Sequence, residues 1–229
     1  MPEQTPRLLS HFLLLRFTPQ YDDLSQDGRR EIQQNFLTNL RKAAEAVYIY
    51  QVYPLQADVD ILVWSSLTIE ETENTAQFAE NFARAALPFR RYLQPVQAFW
   101  GFTRPSQYTK TRSSQEIDPL TPERKRYLIV YPFVKTVDWY LMGQEARQGM
   151  MNNHIRVGKQ YPEILQLLLY SFGLQDQEFV VVYETDDLPQ FSDLVYALRS
   201  TDARRYTLRD TPLFTGIFHP AEQTLSLWE

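Results

Sequence analysis

The sequence contains no cysteine among its 229 residues. Without thiols the protein cannot form disulfides, hold an iron–sulfur cluster, attach haem through cysteine or use a cysteine nucleophile. Glycine is scarce, with seven residues in the chain, and neither a phosphate-binding P-loop nor a dinucleotide-binding fingerprint occurs. The G-x-S-x-G elbow of serine hydrolases and the H-E-x-x-H motif of zinc proteases are missing as well. These absences exclude the commonest motif-bearing enzyme classes.

Long apolar runs and excess positive charge are also lacking. No stretch reaches the roughly 18 uninterrupted apolar residues of a transmembrane helix, and the N-terminus does not have the three regions of a signal peptide. The net charge of -5 gives no reason to expect nucleic acid as the main partner. With 44% apolar and 14% aromatic residues, the composition is typical of a globular protein. We therefore expect a cytoplasmic protein that neither spans a membrane nor binds nucleic acid.

Strand and helix patterns occur in the same order in the two halves of the chain. Residues 8–102 predict the order β-α-β-β-α-β, and residues 127–218 predict it again. Short sequence echoes accompany this order: Gln77-Phe78 with Gln190-Phe191, and Arg90-Arg91-Tyr92 with Arg204-Arg205-Tyr206. A repeat with a period of about 113 residues predicts an α+β fold of two fused ferredoxin-like βαββαβ units, of the dimeric α/β-barrel type.

This duplication also predicts a division of the chain. Residues 1–104 form the N-terminal ferredoxin-like half, and residues 127–229 form the C-terminal half. The linker, 105–126, is polar and turn-rich and carries a basic cluster. A duplicated fold of this kind supports many activities, so the function must be inferred from particular residues.

The stretch from Tyr127 to His154 has the most informative pattern. It begins with a run of β-branched and aromatic residues that predicts a strand buried on both faces, and it becomes helical after Trp139. One face of this helix is apolar except for one imidazole, and its members are Ala146, Met150, His154, Val157 and Tyr161. A lone histidine on such a face is more often a core residue, and the functional alternative is an axial ligand in a hydrophobic cofactor pocket. Periodicity alone leaves both interpretations open.

Several segments of the C-terminal half resemble the chlorite dismutase-like haem superfamily in order and spacing. They are Tyr131-Pro-Phe-Val-Lys135, Asp138-Trp-Tyr-Leu, Gln144-Glu-Ala-Arg and His154. Within the superfamily the chain is most similar to coproheme decarboxylases, especially the actinobacterial type. The resemblance implies an iron porphyrin, coproheme or haem b, as cofactor, and peroxide-dependent oxidative decarboxylation of coproheme to haem b as the reaction. It also implies a role in haem biosynthesis and a homo-oligomer, usually a pentamer.

The resemblance implies roles for individual residues. His154 falls at the proximal iron ligand, and Asp202 falls at the acidic residue that hydrogen-bonds this ligand in the family. Tyr131 falls at the tyrosine that coproheme decarboxylases oxidise to a radical. Lys135 falls at the lysine that contacts a haem propionate, and Trp139 belongs to the same cofactor-binding region.

The distal side departs from the family pattern. Gln166 is the nearest polar match to the family's distal residue, and a shift of the strand would bring Leu165 or Leu167 to the haem instead. Arg112 stands in the linker where actinobacterial decarboxylases have a distal histidine, and is a candidate peroxide-side or propionate partner. No arginine occurs from 161 to 170, which counts against chlorite dismutation.

Two further interpretations stay open at this stage. The protein could be a chlorite dismutase-like or peroxidase-like haem enzyme that uses chlorite or peroxide, or a haem-binding carrier without catalytic activity. Taken singly, the candidate residues are ordinary: Tyr131 could be a core aromatic, and Lys135 a solvated lysine. Their joint pattern favours the haem enzyme.

Overall fold

A computed structural model describes residues 6–108 and 113–229. Within them the chain forms two compact units. The N-terminal unit contains the residues up to Thr103 together with 119–124 and 215–229, and the C-terminal unit contains the rest of the chain from 104 to 214. No helix in the described residues combines the length and hydropathy needed to cross a bilayer.

Strands and helices account for most of the described chain. In chain order the elements are β1 (Arg7–Phe17), α1 (Pro19–Asp22), α2 (Gln26–Ala43), β2 (Ala46–Gln51), β3 (Ile61–Ile69), α3 (Asn74–Ala86), β4 (Leu93–Phe102), β5 (Tyr127–Lys135), α4 (Val137–Leu141), α5 (Gln144–Gly158), β6 (Leu165–Tyr170), β7 (Phe179–Thr185), α6 (Leu188–Arg199), β8 (Thr207–Arg209), β9 (Phe214–Phe218) and α7 (Ala221–Ser226). Short 3-10 turns at Leu87–Phe89 and Asp202–Tyr206 precede β4 and β8.

The N-terminal unit is an antiparallel sheet covered by helices. Its strand order is β4-β1-β3-β2-β9. The helix α2 begins after Ser25, whose hydroxyl accepts a hydrogen bond from the Gly28 amide. Apolar residues at helical spacing on α2 and α3 pack with leucines of β1, so that Phe36, Leu40, Phe78 and Phe82 belong to one buried core. This unit has the predicted βαββαβ order from β1 to β4.

The C-terminal unit has the same arrangement with one difference. Its antiparallel strand order is β6-β7-β5-β8. The sequence pattern predicted the fourth strand of this half at 213–218, and the structure has a strand there, β9; it also has a strand that the pattern did not predict, which pairs with β5 and is the short β8. This strand has three residues, and its central residue, Leu208, is 69% exposed. It therefore lacks the alternation of apolar and polar residues by which a strand is predicted from sequence.

The segment predicted as that last strand is β9, which pairs with β2 in the N-terminal unit. A Cβ atom on Gly216 would lie 2.7 Å from the Cβ atom of Tyr50, so this approach of the two strands requires glycine. The following helix is held by Thr224, whose hydroxyl donates to the Ile49 carbonyl at 3.1 Å. Residues 215–229 are thus part of the N-terminal unit, although the repeat pattern had grouped them with 127–214.

Candidate functional site

The register of the C-terminal sheet decides which side chains share a face. Gln166 lies opposite Tyr183 across β6 and β7, and Tyr131 lies opposite Val181 across β5 and β7. Residues directly opposite each other in an antiparallel pair project to the same face, and alternate residues along a strand share it. Gln166, Tyr183 and Tyr131 therefore lie on one face of the sheet, whereas Leu165 and Leu167 lie on the other.

Helix α6 covers part of this face. Its buried residues Phe191 and Leu194 pack with Ile129 and Tyr183 in one apolar cluster. Tyr131 and Val181 lie at the margin of the cluster and are only partly buried. The face carrying Tyr131 is consequently apolar but incompletely filled.

Helix α5 carries His154 and buries none of its residues. Met150, His154 and Val157 are half-buried, in contrast to the filled faces of α2 and α6. The Nδ1 atom of His154 is buried without a hydrogen-bond partner in the described residues. A buried imidazole nitrogen without a hydrogen-bond partner is destabilising in a fully packed core. This half-buried helix face therefore suits a flat apolar cofactor whose metal ion the imidazole could coordinate.

Burial, and to a smaller extent the nearby ammonium of Lys135, together lower the pKa of His154 to about 4. The imidazole is therefore neutral at physiological pH. The neutral form is the one that coordinates a metal ion, because its ring nitrogen has a free lone pair.

The strand pairing of β5 is irregular at Lys135. The pairing of β5 with β8 shifts register between Val134 and Lys135, which re-orients the chain at that point. The Nζ atom lies 4.2 Å from the ring centre of Trp139 and 5.1 Å from that of Phe133. It also donates to the Ala203 carbonyl at 3.4 Å. The ammonium is thus held over two aromatic faces, which favours a cation.

Lys135 has no carboxylate partner within ion-pair distance among the residues that the structure describes. Burial lowers the pKa of Lys135 to about 8, the charge of Glu178 opposes this shift, and Arg204 adds to it. The Glu178 carboxylate instead accepts from the backbone amide of Lys135 at 2.7 Å. A partly desolvated ammonium in this state would gain from an incoming carboxylate such as a porphyrin propionate.

Trp139 forms the platform beneath Lys135. Its side chain is 4% exposed, and its ring centre lies 5.8 Å from that of Tyr206 and 6.5 Å from that of Tyr108. The structure places Trp139 next to Lys135, so that the face of the indole ring contacts the ammonium.

Tyr131 is paired with a second tyrosine that the sequence pattern did not single out. The rings of Tyr131 and Tyr183 are stacked with centres 6.4 Å apart, and Tyr183 packs in turn on Phe191. Burial, and then the neighbouring Tyr183 and Asp210, raise the pKa of Tyr131 well above its usual value. Tyr131 is consequently a neutral phenol throughout the physiological range. The strand alternation that puts Phe179, Val181 and Tyr183 on one face was the available signal for Tyr183.

Asp202 does not contact His154 in this structure. Its side chain is 69% exposed, and its carboxylate lies 3.7 Å from the Arg205 Nε atom. Asp202 is the first residue of a 3-10 turn. Because side chains three positions apart lie on the same side of such a turn, Asp202 faces Arg205. The hydrogen bond expected between Asp202 and His154 is absent, and the backbone carbonyl of the next residue, Ala203, bonds Lys135 instead.

The two remaining candidates belong to the distal side. The side chain of Gln166 is exposed, and its backbone bonds the linker: the Gln166 amide donates to the Gln115 carbonyl at 2.7 Å, and its carbonyl accepts from Ile117 at 3.0 Å. This pairing brings the linker alongside β6. Arg112 lies outside the described residues.

Arg147 is a cation of α5 that the sequence reasoning left without a role. It stands seven residues before His154, a spacing that places both on the same helix face. Arg147 lies near the phenols of Tyr108 and Tyr140. Burial raises the pKa of each phenol, and the positive charge of Arg147 opposes both shifts. The motif Gln144-Glu-Ala-Arg was the available signal.

Comparison with known proteins adds independent evidence. The chain is 31% identical to the coproheme decarboxylase of Mycolicibacterium smegmatis over 168 residues, which cover 73% of this chain and 71% of that relative. It is 30% identical to the coproheme decarboxylase of Staphylococcus carnosus over 156 residues, or 61% of this chain and 60% of that relative.

Solved structures share the fold. The chlorite dismutase of Candidatus Nitrospira defluvii in complex with imidazole superposes with a TM-score of 0.81 at 22% identity, covering 96% of this chain and 94% of that one. This likeness confirms the predicted α+β fold of ferredoxin-like units. The sequence model of the family described as Chlorite dismutase matches residues 29–219. Since that match spans most of the sequence, the chain belongs to the chlorite dismutase family.

Proposed function

We propose that the protein is a haem-dependent oxidoreductase that converts coproheme to haem b by oxidative decarboxylation, with peroxide as the oxidant. Two relatives of about this length that are similar to the chain are coproheme decarboxylases. The observation that carries the proposal is the neutral imidazole of His154. Its buried nitrogen has no hydrogen-bond partner among the described residues, and it lies close enough to Lys135 for the ammonium to lower its pKa.

The residues present fit an anionic iron porphyrin. His154 would hold the iron, and the half-buried apolar side chains Met150, Phe133 and Val181 would contact the macrocycle. Lys135 would pair with one propionate, and Arg147 is placed to pair with another. When bound, the porphyrin supplies both the iron that reacts with peroxide and the propionates that are converted.

The chemistry assigned to the protein balances. Each propionate loses one hydrogen from its β-carbon and its carboxylate leaves as carbon dioxide, so that a carbon–carbon double bond forms. The two electrons released reduce one peroxide, which takes up the hydrogen and one further proton and becomes two waters. Two such conversions produce the vinyl groups of haem b.

Tyr131 is assigned the hydrogen-abstracting role. Its phenol stays protonated, so loss of one electron is accompanied by loss of the hydroxyl proton, and the oxygen that remains can take a hydrogen atom from carbon. The stacked ring of Tyr183 restrains Tyr131. Gln166, on the same sheet face, is the assigned distal residue, and Arg112 of the linker is assigned to the peroxide side.

Coproheme turnover tests the proposal directly. The protein is mixed with ferric coproheme and then with peroxide in increments, and the porphyrin is analysed by mass spectrometry. The expected products have lost one and then two carboxyl groups, each together with one hydrogen atom from the neighbouring β-carbon. Intact coproheme after peroxide would refute the decarboxylase. Oxidation of an added phenol would then indicate a peroxidase, oxygen release from chlorite a dismutase, and a stable complex without turnover a carrier.

We also propose that the protein works in the cytoplasm as a homo-oligomer, most simply a pentamer. Large apolar side chains of the C-terminal unit are open to solvent in the single chain, with Leu141 79% and Tyr196 78% exposed. Light scattering after gel filtration measures the subunit number, and a monomer would refute the assembly. Cell fractionation with a specific antibody tests the compartment.

A further inference from the structure

The N-terminal unit has an apolar cavity of its own. The cavity has a volume of about 250 Å³ and lies between β1 and the helices α2 and α3. Its lining includes His11, Leu15, Phe36, Phe82, Ala86 and Arg90. None of these residues has a role in the proposed decarboxylation.

His11 is the polar group of this cavity wall. Its Nδ1 atom is buried without a hydrogen-bond partner in the described residues. Its ring meets the edges of Phe82 and Phe78, with ring centres 4.7 and 5.8 Å apart. An apolar wall with one unpaired nitrogen is suited to a mainly hydrocarbon ligand that can reach a hydrogen-bonding group.

A second, open recess of about 480 Å³ adjoins the cavity at Arg90, which lines both. The remaining lining of this recess is polar and basic: Thr18, Gln20, Arg91 and Gln94. Because Arg90 belongs to both walls, a single ligand could place an apolar part in the cavity and a charged part in the recess.

The two arginines at this junction have no carboxylate partner in the parts of the chain that the structure describes. Their sequence counterparts in the C-terminal unit do: Arg204 pairs with Asp210 at 2.6 Å, and Arg205 lies 3.7 Å from Asp202. The repeated Arg-Arg-Tyr motif is thus neutralised in one unit and uncompensated in the other. An anion is the group that would complete the charge balance at Arg90 and Arg91.

We propose that the N-terminal unit binds a medium-chain alkyl carboxylate, with its carboxylate on Arg90 and Arg91 and its chain in the cavity beside His11. At roughly 30 Å³ for a water-sized group, the cavity holds about eight carbon atoms. This space suits octanoate and excludes a porphyrin. The site is separate from the haem site, and the proposal does not depend on the proposed function.

Octanoate binding can be followed at the imidazoles, because the chain has three histidines. Full-length protein labelled with 15N is titrated with octanoate, once without haem and once saturated with haem b. We expect saturable shifts of the His11 ring signals in both samples, with His154 and His219 unaffected in the haem-saturated one. Shifts confined to His154 in the haem-free protein, or no saturable shift of His11 up to about 1 mM octanoate, would overturn the proposal.

Three variants separate the head and tail contacts. Arg90→Gln should weaken octanoate binding about tenfold while leaving the binding of uncharged 1-octanol unchanged. Ala86→Phe should abolish both, since the larger side chain occupies the cavity. The matched control is Arg84→Gln, because Arg84 is an exposed arginine of α3 that lines neither the cavity nor the recess. This variant should bind octanoate like wild type. Equal losses in Arg90→Gln and Arg84→Gln would show that only overall charge matters, and the site would be wrong.

Discussion

The two ferredoxin-like units share an order of elements but fill the space over their sheets differently. In the N-terminal unit, α2 buries Phe36, Leu37 and Leu40, and α3 buries Phe78 and Phe82. In the C-terminal unit, α5 buries nothing. The same fold can therefore bury large side chains of its first long helix in the core, as α2 does, or leave that helix face open for a ligand, as α5 does.

The two units also differ in the surroundings of one histidine each, His11 in the N-terminal unit and His154 in the C-terminal unit. His11 and His154 both have a buried Nδ1 atom without a hydrogen-bond partner in residues 6–108 and 113–229, and the pKa of each is lowered to about 4, mainly by burial. His11 lies on a strand between phenylalanine rings, whereas His154 lies on an open helix face near Lys135. Similar desolvation thus accompanies two different settings, so a shifted pKa alone does not identify the metal ligand.

The largest expected effect is that of His154→Ala. It should abolish the five-coordinate histidine spectrum of the ferric complex and weaken porphyrin binding by more than about 100-fold, because the iron ligand is lost. The melting temperature of the haem-free protein should change little, since α5 buries no residue.

His11→Ala is the matched control for this experiment. It should retain the wild-type haem spectrum and lower the melting temperature more, because its ring packs against Phe82 and Phe78. An unchanged spectrum and affinity in His154→Ala would remove the ligand assignment.

Tyr131→Phe should separate binding from chemistry. Phenylalanine has nearly the same volume, so the fold and coproheme binding should persist. Formation of the first vinyl group should fall by at least about 100-fold, because the oxidisable hydroxyl is missing. Mass spectrometry of the porphyrin after peroxide addition measures this loss.

Tyr183→Phe is the comparison variant for that prediction. It keeps the stacked ring and the Tyr131 phenol, and it removes only the hydroxyl that is hydrogen-bonded to Tyr131. Because the oxidisable phenol remains, its product yield should stay much closer to wild type than that of Tyr131→Phe. A Tyr131→Phe variant that makes haem b at the wild-type rate would contradict the radical role.

Lys135→Ala should have an intermediate effect on porphyrin affinity. We expect about a tenfold loss at low salt and a smaller loss at high salt, because the contact with a propionate is electrostatic. The pKa of Lys135 is about 8 in the free protein. Wild-type affinity should therefore fall as the pH rises through about 8, where the ammonium loses its proton, and the variant should lack this dependence.

Lys159→Ala serves as the control, since Lys159 is an exposed lysine that follows α5. Fluorescence quenching titrations across salt and pH measure all three proteins. Identical salt and pH profiles for wild type and Lys135→Ala would exclude the propionate contact.

The last prediction concerns the pH dependence of stability. His11 has a pKa of about 4 in the folded protein, against an ordinary value of 6.5 for an exposed histidine, so the unfolded state binds more protons between these limits. The stabilisation is complete above about 6.5 and is lost as the pH falls towards 4, at no more than about 1.4 kcal/mol per pH unit. Urea unfolding of haem-free His11→Leu should show a shallower decline than wild type over this window. A parallel decline would show that His11 is protonated equally in both states.

The sequence by itself determined the repeated βαββαβ order, because strand and helix periods are local properties of the chain. It also made His154 a candidate, since a lone imidazole on an apolar helix face is visible without contacts, and the resemblance to the haem superfamily added Lys135. Only the tertiary structure brought Tyr183 beside Tyr131, because that neighbour depends on the register of β5 with β7. It likewise directed Asp202 to Arg205 and not to His154, and paired β9 with β2. The two strand pairings join elements whose relative positions are decided by packing and strand register, which no local pattern encodes.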